Sequence, residues 1–212
     1  IRLGTWGLDE VEQAAVYNQK PGDIKYLDVN QDGVIDSIND FVDQGRATPL
    51  VELSMINTFQ LHGFTLMLDL GSMLGYTVNS YTQWLTYDSV ACNAPSGHTD
   101  KAWTPENQNT AIPALKLSRH SNNKQSDNTF LHDGNFLRVR NISLLYDFKR
   151  DVLKNSKFFK GLIFGVNVEN PFLFTTYAGG PDPESGWVGV NGSDWMAYPR
   201  PMTITGNLKI TF

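Results

Sequence analysis

The chain holds a single cysteine, Cys92, which excludes an internal disulfide framework and any zinc site built from a cysteine cluster. No apolar run reaches the roughly 18 residues of a membrane helix. That shortage leaves membrane barrels open, because barrel strands alternate and score poorly on hydropathy. Basic charge is also short. The net charge of −5 argues against a protein that tracks nucleic-acid phosphates. Charged residues make up 18%, below the roughly 25% usual for soluble domains. A nucleophile elbow and a phosphate-binding glycine loop are absent. His62, His98, His120 and His132 show no metal-ligand spacing, and no pair of acids stands out from the rest. These gaps point away from an enzyme. Residue 1 is Ile and no signal peptide follows it, so the chain reads as a mature product or as a piece of something longer.

What the sequence does have is alternation. Met202, Ile204, Leu208, Ile210 and Phe212 fall on one side of an extended chain, and Thr203, Thr205, Asn207, Lys209 and Thr211 on the other. Four further strands are predicted. They run over Leu50–Gln60, Phe64–Leu70, Asn135–Phe148 and Phe159–Val168, and only Leu145 breaks the pattern within the third of them. Leu61-His62-Gly63 is a tight hairpin connection, and Lys149–Lys157 a modest polar link. Between these short connections lie long loops over residues 72–132 and Asn170–Arg200. Such loops count against a compact soluble domain but are ordinary outside a membrane barrel, whose inner turns are short. With Phe212 placed on the periplasmic side, every long loop falls outside. The expected division is therefore residues 1–48 as a loop region, with a short helix over Asp9–Tyr17, and residues 49–212 as strands and loops.

Two features bear on ligands. Asp28, Asn30, Asp32, Val34 and Asp36, with Gly33 at the bend, match the first nine places of a calcium loop of the EF-hand kind. The register then slips, because place twelve is Asn39 and the acid, Asp40, comes one residue late. Either Ca²⁺ binds there, or Asx turns order the loop without an ion; both roles are structural. The long loops also gather Trp84, Trp103, Trp187, Trp195 and Tyr177 with Asn107, Asn109 and Asn170. Aromatic faces and amides suit sugars or peptides, and Trp103, Trp187 and Trp195 are the candidate substrate contacts. The same rings would equally serve to pack the loops or to form an interfacial belt. Asp182 and Glu184, in a Gly/Pro turn, read as solvated.

Five blocks, KPGDIKYLDVNQDGVID, DKAWTPENQNTAIPAL, DGNFLRVRNISLLYDF, VNVENPFLFTTYAGGPDPES and YPRPMTITGNLKITF, together resemble the C-terminal part of the SusC/RagA family of TonB-dependent outer-membrane transporters from Bacteroidetes. They cover most of residues 18–212, in the family's order. The acid run after DGVID departs from the family by one residue, and RATPLVELSMINTF is looser than its pattern. The resemblance implies an all-β, antiparallel transmembrane β-barrel. These residues would be the last five strands of a 22-stranded barrel with long extracellular loops, a size known for plugged outer-membrane transporters. It further implies a SusD-like surface lipoprotein as partner, drive from the TonB complex through an absent N-terminal part, and import of oligosaccharide or oligopeptide across the bacterial outer membrane. Phe212 would be the signal read by the barrel-assembly machinery. The rival reading is a soluble, secreted, calcium-stabilised β-sandwich that binds carbohydrate. It requires Leu66, Phe164, Leu208 and Ile210 to be enclosed between two stacked sheets.

Overall fold

The computed structural model describes all residues except 37, 88–95, 116–127, 185–191 and 197. The strands are β1 (Arg2–Thr5), β2 (Ile24–Tyr26), β3 (Val51–Leu61), β4 (Phe64–Leu74), β5 (Thr77–Ser80), β6 (Leu131–Asp133), β7 (Phe136–Asp147), β8 (Gly161–Thr175), β9 (Ser193–Asp194) and β10 (Thr203–Thr211). Helical segments are short: α1 (Val11–Val16), α2 (Tyr81–Tyr87) and α3 (Ser96–Thr99), with 3-10 turns at Leu8–Glu10 and Asn128–Phe130. The helix expected over Asp9–Tyr17 thus splits into a 3-10 turn and α1. Glu10 folds back to accept the Gly7 N–H at 3.1 Å and to pair with Lys25.

The chain divides into two compact units, one of Ile1–Gly45, Asn79–Leu131 and Asp194–Met196, the other of Arg46–Val78, His132–Ser193 and Ala197–Phe212. In the first unit β1 and β2 pair antiparallel. Trp6, Ala14, Ile24, Ala102 and Trp103 are buried there. Trp6 stacks on Tyr17 at 5.9 Å, and its indole N–H reaches Gln19.

The second unit is built on one antiparallel sheet of five strands in the order β10-β8-β7-β4-β3. β3 and β4 are joined by His62 and Gly63, whose φ values of 44° and 81° suit the tight turn that matches strand twist. The register sorts side chains into complete cross-strand rows. Leu61, Phe64, Tyr146, Phe164 and Leu208 form one; Phe59, Leu66, Leu144, Val166 and Gly206 the next; Asn57, Leu68, Ile142, Val168 and Ile204 a third. The intervening rows are polar. They are Gln60, Thr65, Leu145, Gly165 and Asn207; Thr58, Met67, Ser143, Asn167 and Thr205; and Ile56, Asp69, Asn141, Glu169 and Thr203. One face of the sheet is therefore apolar on every strand except at Asn57 and Gly206, and the other is mixed polar, with Ile56, Met67 and Leu145 among its polar residues.

Leu145, the odd residue of the third predicted strand, lies over Gly165, where an added Cβ would meet its Cδ2 at 2.3 Å. The exception is thus a side chain laid flat over a glycine on the polar face. The loop expected from Asn170 starts later, because β8 continues to Thr175. Asn170 takes a φ of 50°, the pairing shifts register there, and Pro171 sits at the irregularity. A proline lacks the ladder donor but is tolerated at a bulge, so the break in alternation marks a bulge rather than a strand end.

Candidate functional site

Among the described residues of this unit, no layer is packed on the apolar face. Phe164, Leu208 and Ile210 are 45%, 63% and 43% exposed. The β-sandwich reading needs these side chains enclosed, and they are not. The face is also graded along its height. Beside the short connections stand Phe64 and Tyr146, 4.4 Å apart, then Phe148 at 4.7 Å from Tyr146. Phe158, Phe159 and Phe212 meet at 4.9 to 5.8 Å. At the opposite end Phe172 stacks near Phe174 at 6.4 Å. Between the two aromatic ends lie Leu66, Leu68, Leu70, Val139, Ile142, Leu144, Val166 and Val168. Aromatic girdles flanking an aliphatic band are the arrangement that suits a bilayer's two interfaces and its hydrocarbon. The 11 residues of β4 extend about 36 Å at ~3.3 Å per residue. A strand tilt of roughly 45° leaves about 25 Å across the membrane, the height of an outer-membrane apolar band.

The polar face carries a charged cluster at the end away from the short turns. Arg138 and Asp182 are both buried and bond at 2.6 Å, and the Arg138 Nε–H donates to Glu184 at 3.0 Å. Arg200 reaches Glu184 at 3.1 Å and Asp182 at 3.9 Å, while Arg140 lies 3.6 Å from Glu184. The Glu184 backbone N–H donates to Asp182 at 2.9 Å. Beneath the cluster Tyr76, Val78, Phe136 and Tyr177 are buried together, with Met73 and Leu173 against them. Burial and the nearby Glu184 and Asp182 hold the Tyr76 phenol well above its ordinary value. Asp182 and Glu184 are thus not the solvated pair that a Gly/Pro turn suggests, because Arg138 on β7 draws them down onto the sheet. The signal for this was Arg138 and Arg140 close together at one end of β7, whose only other charged residue, Asp147, stands at its far end, so they called for anionic partners from elsewhere.

The Asp-rich loop, Trp103 and Trp195 fall in the first unit. In the Asp-rich loop, Asp28 accepts the backbone N–H groups of Gln31 and Gly33 at 2.7 and 2.9 Å and the Tyr17 hydroxyl at 3.2 Å. Asp32 accepts from Val34, Asp36 from Ile38 and Asn39, and Asp40 from Val29 and Asp36. Asn30 accepts from Asp32 at 3.3 Å. The late acid Asp40 closes the ring from one position beyond the usual twelfth. Among the described residues no group of three His, Cys, Asp or Glu side chains is gathered as a metal would need. Carboxylates that accept N–H bonds keep further lone pairs, so Asx bonding and cation binding remain compatible.

Trp103 is buried against Gly22, where a Cβ would lie 2.7 Å from its ring, and Ala114. Trp195 is 44% exposed and leans on Tyr81 at 4.6 Å, with Trp84 edge-on to Tyr81 at 6.2 Å. Trp187 lies outside the described residues. Tyr177 belongs to the buried cluster under the charged network, Asn107 donates to the carbonyls of Lys101 and Ala102, and Asn170 to that of Pro201.

A scan of protein-family models gives no match. Among curated proteins, the chain is 30% identical over 196 residues to the TonB-dependent receptor P39 of Formosa agariphila, covering 90% of the chain and 19% of that protein. It is 28% identical to the TonB-dependent receptor SusC of Bacteroides thetaiotaomicron, covering 92% of the chain and 18% of the relative. Among solved structures, the RagAB peptide transporter superposes with a TM-score of 0.72 at 18% identity, over 99% of this chain and 22% of the other. The chain thus spans about a fifth of the length of the curated relatives it matches. The fold is that of a wall segment of a TonB-dependent barrel transporter. Within that class, the chain is a segment of a SusC/RagA-family TonB-dependent receptor, a kind of outer-membrane protein.

Proposed function

We propose that this segment forms part of the wall of a receptor that imports glycan or peptide fragments across the outer membrane, and that it performs no bond chemistry. The observation that carries this reading is the apolar face, continuous over five strands and bounded by aromatics at both ends. Hydrocarbon is the medium that such a face requires. The mixed polar face, with Thr58, Ser143, Asn167 and Thr205 in one row, suits a watered interior. Both outer strands, β3 and β10, have a second ladder edge open among the described residues. Open edges are not tolerated in lipid, so further strands of the longer receptor, to a total of 22, would close the barrel. Long loops would lie outside, under a SusD-like lipoprotein, and the TonB complex would supply the energy. Trp195 with Tyr81 and Trp84 is the aromatic surface best placed for a ligand. The Asp28–Asp40 loop would hold an outer loop in shape, with Ca²⁺ as its candidate ion.

The test is uptake. Cells carrying the full-length receptor should accumulate labelled oligosaccharide or oligopeptide, and should stop when the proton gradient is collapsed. The lipoprotein should co-purify with the receptor. A folded, soluble monomer from residues 1–212 alone, with a melt raised by calcium, would instead support the sandwich.

A further inference from the structure

The charged cluster on the polar face is unbalanced. Among the described residues, three guanidinium groups, from Arg138, Arg140 and Arg200, meet two carboxylates, from Asp182 and Glu184. Arg138 is fully engaged and its side chain is 3% exposed. The surplus falls on Arg140 and Arg200, whose side chains are 35% and 41% exposed. Both address the same carboxylate, Arg140 the Oε1 and Arg200 the Oε2 of Glu184.

The placement of Arg140 is specific. β4 pairs Asp69 with Asn141 and Leu70 with Val139, so Arg140 is the extra residue of a bulge. Bulges re-aim side chains and concentrate near binding sites. Its guanidinium lies over Gly71, where a Cβ would come within 2.5 Å of it. A residue without a side chain opposite the bulge lets the guanidinium lie against the sheet. Arg200 is held from the other side by the Glu184 carbonyl at 3.4 Å and carboxylate at 3.1 Å. Asp69 and Glu169 stand one cross-strand row away. Among the described residues, Glu184 is the carboxylate that Arg140 reaches.

We propose that Arg140 and Arg200 form a carboxylate-binding site on the polar face, with Glu184 as its resident, shared counter-ion. The ligand class is an organic carboxylate, as carried by a peptide C-terminus or an acidic sugar. Forked guanidinium groups bind such planar anions with two parallel bonds. The assignment of this face to the import path rests on the transport reading above; the binding itself does not.

The test uses the full-length receptor purified in detergent, with succinate as probe and the neutral succinamide as its control at matched ionic strength. Succinate should raise the melting temperature and succinamide should not. Arg140→Gln and Arg200→Gln should each weaken the apparent affinity about tenfold, the loss of a charged hydrogen-bonding partner. Glu184→Gln should strengthen it, because it removes the competing carboxylate. Each variant is compared with its own ligand-free melt, and its folding is checked by heat-dependent gel mobility. If Arg140→Gln fails to fold, Arg200→Gln and Glu184→Gln still carry the test. Equal shifts with succinate and succinamide, undiminished binding in Arg200→Gln, or weaker binding in Glu184→Gln would each overturn the site. Because binding is read on purified protein, a failed uptake assay leaves this result interpretable on its own.

Discussion

Substituting an arginine for Val168 and then for its neighbour Asn167 separates a lipid-facing wall from any water-soluble sheet. Val168 lies in the row with Leu68, Ile142 and Ile204, opposite the middle of the 11-residue β4. Asn167 lies in the polar row with Thr58, Met67, Ser143 and Thr205. A lipid-facing arginine at the bilayer midplane costs about 2–4 kcal/mol, falling to about 0–1 near the interfaces. At ~1.4 kcal/mol per tenfold, the midplane cost reduces the folding equilibrium constant by a factor of roughly 30 to 700. Val168→Arg should therefore deplete heat-modifiable, folded receptor from the outer membrane. Phe64→Arg, at the aromatic end, should cost far less, and Asn167→Arg should be tolerated. The assay is urea titration of the full-length receptor folded into liposomes, followed by gel mobility. Equal penalties at Val168 and Phe64, or a larger penalty at Asn167 than at Val168, would refute the assignment of hydrocarbon to this face.

Three further outcomes follow from the geometry. Arg138→Met leaves the Asp182 carboxylate buried without its main partner, and should cost about 3–5 kcal/mol in the same urea titration; Arg138→Lys should recover only part of this, since it lacks the fork that spans Asp182 and Glu184. Gly63→Ala forces a side chain onto a φ of 81° and to 3.1 Å from the Asp147 carbonyl, and should destabilise the β3–β4 hairpin by about 1–2 kcal/mol, read as faster hydrogen exchange at Asp147, whose N–H donates to the Gly63 carbonyl. Burial holds the His132 imidazole below its ordinary value of 6.5. The folded state then binds fewer protons than the unfolded one, so this contribution to stability is complete above about pH 6.5 and is lost as the pH falls below it. Hydrogen-exchange protection factors around Leu131–Asp133, corrected for the intrinsic pH dependence of amide exchange, should fall as the pH drops from 7 towards about 5.5, and His132→Gln should remove that fall.

The strands were legible because period-two alternation is a local signal, and the register that sets Phe59 opposite Leu66 follows from it once the His62-Gly63 turn is set. What escaped was long-range. β8 was cut short at Asn170 because a bulge interrupts alternation in the same way a loop does, and only the partner strand, pairing Val139 with Phe172, tells them apart. Asp182 and Glu184 looked solvated because a turn sequence does not record which arginine, more than 40 residues earlier, will face it. Trp103 looked like a ligand platform for a related reason: an indole's composition is the same whether it meets a sugar or Gly22.

The two faces of the sheet place opposite demands on a solvent, and that conflict constrains function more tightly than any single residue. A soluble protein hides an apolar face of this size under another layer. Here Phe59, Leu144, Phe164, Ile204 and Leu208 are each between 44% and 65% exposed, while the charged pair Arg138 and Asp182 on the other face is buried. Exposed hydrocarbon beside shielded charge inverts the ordering that water alone would select. The inversion is resolved when lipid contacts the first face and a polar interior contacts the second. Under those conditions the Arg138 network needs no water to satisfy it, and the aromatic residues at each end mark where lipid gives way to headgroups. Functional variation among such walls is then expected on the polar face and its strap, around Arg140, Glu184 and Arg200, because substitutions on the lipid side can change stability but cannot touch what passes through.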